Sequence, residues 1–193
     1  MDKPKIKIIL ASIREERAGA KVADWLMDIV RQDSQADFEL LDLRDYPLPM
    51  FSDAVPPSAR QGPHPDPTAR RWLEKIDDGD GFIVVTPEYN HGYPAALKNA
   101  YDYGYKEWNE KAIGFVGYGG AAGGSRSVEQ QRLVAAELRM YSVRDQVLIP
   151  FIWSAFDDDG HLKNEDNHAK NARLVIDSVV SLAGKLKKSN LNH

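Results

Sequence analysis

Two hydrophobic patterns alternate along the chain. Short, nearly unbroken apolar runs occur at "KIKIIL" (5–10), "FELLDL" (38–43), "GFIVV" (81–85), "AIGFVGY" (112–118) and "DQVLIPFIW" (145–153). Runs of this kind, bounded by turn-forming residues, predict strands buried on both faces. Between them the spacing is helical. Val22, Trp25, Leu26, Ile29 and Val30 fall at i, i+3, i+4, i+7 and i+8, and Trp72, Leu73 and Ile76 form a shorter stripe. Leu97, Ala100, Tyr101, Gly104 and Trp108 form a longer one, and Ala169, Ala172, Ile176, Val179, Val180 and Ala183 form the last. Within 128–140, Leu133, Ala136 and Met140 are expected to share a buried face. Asp66 before Pro67 reads as a helix start, and Ser127 with Gln130 reads as a capping box.

Strand and helix alternate five times, which predicts an α/β fold: a parallel sheet with helices on both faces. Such sheets bind ligands outside the carboxyl ends of their strands. The loops after strands one, three and four therefore become the candidate site. The connection after strand two, 44–67, carries seven of the eleven prolines and is too long for a simple link. A lid, a subunit contact and a surface wrap all remain open for it. The tail "KLKKSNLNH" (185–193) reads as a fraying helix end.

Composition narrows the chemistry. A length of 193 residues predicts one domain spanning 1–193, and 42% hydrophobic with 28% charged residues is ordinary for a globular chain. No apolar run is long enough to cross a bilayer, and the N-terminal run lacks a small-residue cleavage site, so a cytoplasmic location is expected. With no cysteine there is no thiolate nucleophile, thiolate zinc site or dithiol, so redox chemistry needs a bound cofactor. A net charge of −4 argues against nucleic acid as a partner.

After strand one, Ser12, Arg14 and Arg17 precede Gly19 near the first helix start. A helix N-terminus favours an anion, and a hydroxyl with two guanidiniums makes the loop phosphate-shaped. The triphosphate P-loop pattern is missing, so a monophosphate fits best. The plainer alternative pairs both arginines with Glu15 and Glu16 in solvent. After strand three, "TPEYNHG" (86–92) sets Pro87 at a corner, then carries main-chain donors and acceptors across the top of the sheet. A flat heteroaromatic ring can read such a backbone, with Tyr89 or His91 stacked beside it. The alternative is an ornate turn with Tyr89 in the core. After strand four, Gly117, Gly119 and Ala122 formally match the dinucleotide fingerprint, but on the wrong strand and too far before the helix, which opens near Ser125. The glycines still signal close backbone approach or motion. "FDDDGHL" (156–162) lacks the twelfth-position glutamate of a calcium loop and reads as a turn, and no metal site is expected.

"S-x-R-x-x-R-x-G-x-x-V-A-x-W" after strand one, "P-E-Y-N-x-G-x-P-x-x-L-K-N-A-x-D" after strand three and "G-x-G-G-x-x-G-G-x-R-x-x-E-Q-x-R" after strand four together resemble the NADPH-dependent FMN reductase family, over roughly residues 5 to 150. The resemblance implies a flavodoxin-like three-layer sandwich with sheet order 2-1-3-4-5. It implies that Ser12, Arg14, Arg17 and Gly19 hold an FMN phosphate. Pro87, Glu88, Tyr89, Asn90 and His91 would line the isoalloxazine, with Tyr118, Gly119 and Gly120 approaching from the other loop. The implied activity is ping-pong: hydride from NADPH or NADH reaches flavin N5, and a quinone, azo compound, free flavin or metal oxyanion then accepts electrons. No side chain need act as acid or base. Arg126 and His91 are the candidates for meeting NAD(P)H or substrate. A homodimer or dimer of dimers is implied through the helix bearing Leu97, Tyr101, Tyr105 and Trp108. Ala11 stands where relatives commonly have glycine, and His91 where a smaller residue is usual. The rival readings are an electron carrier without its own NAD(P)H oxidation and a phosphate-ester hydrolase or nucleotide-binding regulator.

Overall fold

A computed structural model describes residues 2–190. Strands β1 (Lys5–Leu10), β2 (Asp37–Asp42), β3 (Gly81–Pro87), β4 (Ala112–Tyr118) and β5 (Tyr141–Ile149) form a parallel sheet in the order β2-β1-β3-β4-β5. Helices α1 (Ala18–Val30), α2 (Pro67–Asp78), α3 (Ala95–Asp102), α4 (Ser125–Glu137) and α5 (Glu165–Asn190) cover it. The architecture is the flavodoxin-like sandwich that the resemblance implies. All residues of the central β3 and β4 are buried, which is why their sequences show no polar alternation. Alternate side chains still go opposite ways: Ile83 and Val85 pack with α1 and α5, whereas Phe82 and Val84 pack with α2, α3 and α4.

Several boundaries and faces differ from the sequence reading. The fifth strand spans 141–149 instead of 145–153, because Pro150 lacks a ladder donor and Phe151 turns into a left-handed conformation (φ 49°). Helix α3 stops at Asp102, so Gly104 and Trp108 lie beyond it. The buried face of α4 is Val128, Gln131 and Ala135; Leu133 and Ala136 point to solvent, with Leu133 73% exposed. Ser127 is no cap: α4 begins two residues earlier, and its hydroxyl is buried against Thr86. Of the basic tail, helix α5 continues through Asn190, and 191–193 lie outside the described residues.

Leu97, Tyr101 and Trp108 cannot form a subunit contact, because each is already buried within this chain. Trp108 sits in an aromatic cluster, with ring centroids 4.9 Å from Phe82, 5.2 Å from Tyr101 and 6.0 Å from Trp72. Tyr105 is half-buried against the same core. The proline-rich connection is a wrap over α3. The Asn99 side chain accepts from Phe51 N (2.8 Å) and donates to Pro49 O (2.7 Å), and the Tyr103 hydroxyl donates to Pro49 O (3.0 Å).

Candidate active site

The loop after β1 is organised by an ion pair that reaches to the end of β2. Arg17 stands at the N-cap position of α1, and no side chain caps that helix. Its guanidinium donates to both oxygens of Asp42, at 2.7 Å for Nη1 to Oδ1, and to the carbonyl of Ser12. Burial raises the Asp42 carboxyl, but the Arg17 guanidinium and the Arg44 main-chain N–H outweigh it and hold the group below the usual carboxylate range. Arg44 also reaches back to donate to the carbonyls of Ile13 (3.3 Å) and Arg14. These contacts leave Arg14 exposed, its guanidinium 5.7 Å from the Tyr89 ring centroid. The buried Ser12 hydroxyl is 2.7 Å from the Tyr89 hydroxyl, which ties the first loop to the third.

The corner after β3 is a tight turn. Tyr89 N donates to Gly92 O (2.9 Å), Gly92 N donates to Tyr89 O (3.1 Å), and both central residues have positive φ, 49° at Asn90 and 71° at His91. Those values are the signature of a type I′ turn, which asparagine tolerates well and histidine adopts less often. The Gln130 amide secures it by donating to His91 O (2.8 Å). Before the turn, Glu88 N donates to Tyr118 O (2.9 Å). The Glu88 carboxylate, 6% exposed, accepts from Arg126 Nε (2.6 Å) and Arg126 N (3.2 Å). Beneath the corner, Thr86, Ser127, Gln131 and Tyr101 share a buried hydrogen-bond network joining β3, α3 and α4. Every donor there finds an acceptor inside the protein, so the corner rests on a rigid base.

The loop after β4 needs its glycines for space. Gly124, the N-cap of α4, has φ 89°, and a Cβ there would lie 2.5 Å from Tyr118 N. Main-chain bonds then stitch this loop to the segment after β5: Gly119 N donates to Ile149 O (3.1 Å), Phe151 N to Gly120 O (3.1 Å) and Ile152 N to Gly119 O (3.0 Å). Tyr118 turns back under the first loop. Gly19 is glycine because any Cβ would collide with the Tyr118 hydroxyl. That hydroxyl is buried beside Ser12 with no partner in good hydrogen-bond geometry, and burial outweighs the Ser12 hydroxyl to raise it above the ordinary phenol range. Arg17 Nε is a second buried donor without a partner.

These segments enclose one cleft of about 420 Å³ at the carboxyl ends of the strands. Ser12, Arg14 and Arg17 line it from the first loop, Pro87, Glu88 and Tyr89 from the second, and Tyr118, Gly119 and Gly120 from the third. Gly19, Asn90, His91 and Arg126 are not part of its wall. Gly19 lies behind Tyr118, Asn90 and His91 project at the exposed turn, and Arg126 stands outside, bound to Glu88. Sequence reasoning missed Asp42 and Arg44, which set the first loop, and Ile152 and Trp153, which close the cleft from beyond β5. Pro150 was the available signal that the last run leaves the sheet. Among the described residues there is no cluster that would hold a metal ion, and the 157–161 segment is a turn in which the Asp157 carboxylate accepts from His161 N (2.8 Å).

The model of the NADPH-dependent FMN reductase family matches residues 4–154. An NAD(P)H-dependent FMN reductase of Schizosaccharomyces pombe is 39% identical over 137 residues, covering 71% of this chain and 68% of that protein. An NAD(P)H-dependent FMN reductase of a Nectria species is 30% identical, with 86% of each chain covered. Among solved structures, the flavoenzyme NAD(P)H:(acceptor) oxidoreductase FerB of Paracoccus denitrificans has a TM-score of 0.75 at 21% identity, covering 94% of this chain and 98% of that one. That likeness speaks for the fold, whereas the family match spans all three loops that build the cleft. The chain belongs to the NADPH-dependent FMN reductase family.

Proposed function

We propose that this chain is a single-domain, FMN-dependent NAD(P)H oxidoreductase that holds its cofactor in the cleft between the loops after β1, β3 and β4. The observation that carries this reading is the mismatch of donors over acceptors in that cleft. The Tyr118 hydroxyl and Arg17 Nε are buried donors with no partner, and Arg14 adds an exposed cation whose side chain forms no ion pair among the described residues. Buried donors are rarely left unsatisfied, and a bound phosphate monoester supplies the missing acceptors. The residues therefore fit FMN.

Arg14, the Ser12 hydroxyl, the Tyr118 hydroxyl and the open N-terminus of α1 are the groups that would hold the phosphate. Arg17 has two parts in this: its Nε would donate to the phosphate, while its fork on Asp42 fixes the Ser12 carbonyl and the loop around it. Gly19 contributes by leaving room for Tyr118. Main chain from Pro87 to Tyr89 and at Gly119 and Gly120 would line the flat ring, with Asn90 and His91 shaping the turn at its edge. When bound, FMN supplies the hydride-accepting and electron-donating chemistry. The protein's own part is to bind, orient and exclude water.

Arg126 remains 42% exposed despite its pairing with Glu88, and His91 projects beside the first turns of the same helix. We place the incoming NAD(P)H there. The acceptor class is a quinone: the curated relatives include a 2-hydroxy-1,4-benzoquinone reductase of a Burkholderia species, 28% identical over 169 residues. An electron carrier without NAD(P)H oxidation is the reading the family match disfavours. Assembly as a homodimer or dimer of dimers would have to use a face other than Leu97, Tyr101 and Trp108. No helix among the described residues is long and apolar enough to cross a membrane, and a cytoplasmic site of action goes with the cysteine-free composition.

Titrating the apoprotein with FMN and with riboflavin while following flavin fluorescence tests the phosphate site. FMN is expected to bind tightly and riboflavin, which lacks the phosphate, far more weakly. Equal affinities would refute a phosphate site in this cleft.

A further inference from the structure

Trp153 is the least buried of the four tryptophans. It is 74% exposed, whereas Trp25, Trp72 and Trp108 are 8% exposed or less. An exposed indole is unusual where burial is available, and this one lines the cleft. A Cβ added at Gly120, one of the two glycines expected to face the cofactor, would come within 3.8 Å of the Trp153 ring. The backbone holds it there at some strain. Phe151 occupies the left-handed region, which a bulky residue seldom adopts, and is itself 50% exposed beside the Trp153 ring, at 5.9 Å between centroids. The two bonds from Phe151 N and Ile152 N to the glycine loop, and the Lys163 ammonium donating to Ser154 O (3.0 Å), fix the turn from both sides. The strained backbone and these bonds together hold an aromatic face at the mouth of the cleft.

We propose that Trp153 is the stacking wall for the electron acceptor: a flat quinonoid ring lies against its indole at the mouth of the cleft. The proposal rests on the oxidoreductase reading above. The overall reaction it serves is balanced as NAD(P)H plus a proton plus quinone giving NAD(P)+ plus hydroquinone, the quinone oxygens each gaining one hydrogen. A planar ring offers the offset stacking that an indole favours, and the exposed rim lets product leave by the route the acceptor entered. A compact inorganic oxidant has no face to stack and gains nothing from this wall.

The test compares the FMN-loaded wild type with Trp153→Ala and Trp153→Phe, measuring the two half-reactions separately. Trp153→Ala is expected to slow reoxidation of the reduced enzyme by a 1,4-naphthoquinone about three- to tenfold, with Trp153→Phe recovering most of the loss. The naphthoquinone rate should fall by that factor relative to ferricyanide reoxidation and NADPH reduction of the same FMN-loaded variant. Competitive inhibition of quinone turnover by 2-naphthol, a flat ring that accepts no electrons, should weaken by a similar factor in the alanine variant. An unchanged naphthoquinone rate would overturn the proposal, as would a ferricyanide or NADPH rate that falls in parallel. A change in elution volume for Trp153→Ala would assign the indole to contact between copies of the chain and overturn it too. A wild type that NADPH fails to reduce would instead sink the oxidoreductase reading itself.

Discussion

Arg17 closes its fork on Asp42 while Arg14, three residues earlier, stays over the Tyr89 ring, so two arginines of one motif have different duties. The motif shows that both are cations near a helix start; it does not show that Asp42, twenty-five residues away in sequence, claims one of them. Replacing Arg17 with alanine strands a part-buried carboxylate, and we expect the apoprotein to lose about 3 kcal/mol of stability in urea unfolding. Replacing Arg14 should leave stability within about 0.5 kcal/mol and weaken FMN binding by roughly 1.5–3 kcal/mol, the usual range for a hydrogen bond to a charged group. Matching losses of stability in the two variants would contradict the division. Tyr118→Phe sharpens the same point. Removing an unpartnered buried hydroxyl should leave the apoprotein as stable or slightly more so, yet cost about 1 kcal/mol in FMN affinity. A variant that is clearly less stable without FMN would show that the hydroxyl already has a partner.

At the scale of elements, the strand runs made the sheet legible because burial on both faces removes polar residues from β3 and β4 altogether. The α4 stripe was misread for a related reason. Its buried face includes the polar Gln131, which serves the network under the corner, so hydrophobicity alone pointed to the wrong side. The amino-terminal edge of the sheet is held by charge: Lys7 donates to Glu39 (2.6 Å) and Asp78 (2.7 Å), tying β1 to β2 and α2. Hydrogen bonds from Lys5 and then Lys7 lower the Asp78 carboxyl to about 2. Its folded pKa lies below the unfolded value of about 3.9, so the unfolded chain binds more protons in between. This contribution is therefore present above roughly pH 4 and is lost as the pH falls through about 2. Asp78→Asn should flatten that part of the acid limb in denaturant unfolding; an acid limb as steep as wild type would show that other carboxylates set it.

For the whole molecule, function was legible because three ordered motifs fell at the carboxyl ends of β1, β3 and β4, where a parallel sheet gathers its ligand loops. The fourth wall was not, since Ile152 and Trp153 reach the cleft through a strained turn whose geometry no periodicity encodes. The aromatic residues after the third motif were equally opaque: the same spacing suits a subunit contact and a core, and only packing shows that Tyr101 and Trp108 are core. FMN held in the proposed cleft has to be reducible there by NAD(P)H. The most direct measurement is anaerobic stopped-flow absorbance of the FMN-loaded protein mixed with NADPH or NADH. The expected result is rapid loss of the visible band of oxidised flavin, restored on adding a quinone; a band that persists against both nucleotides would overturn the assignment.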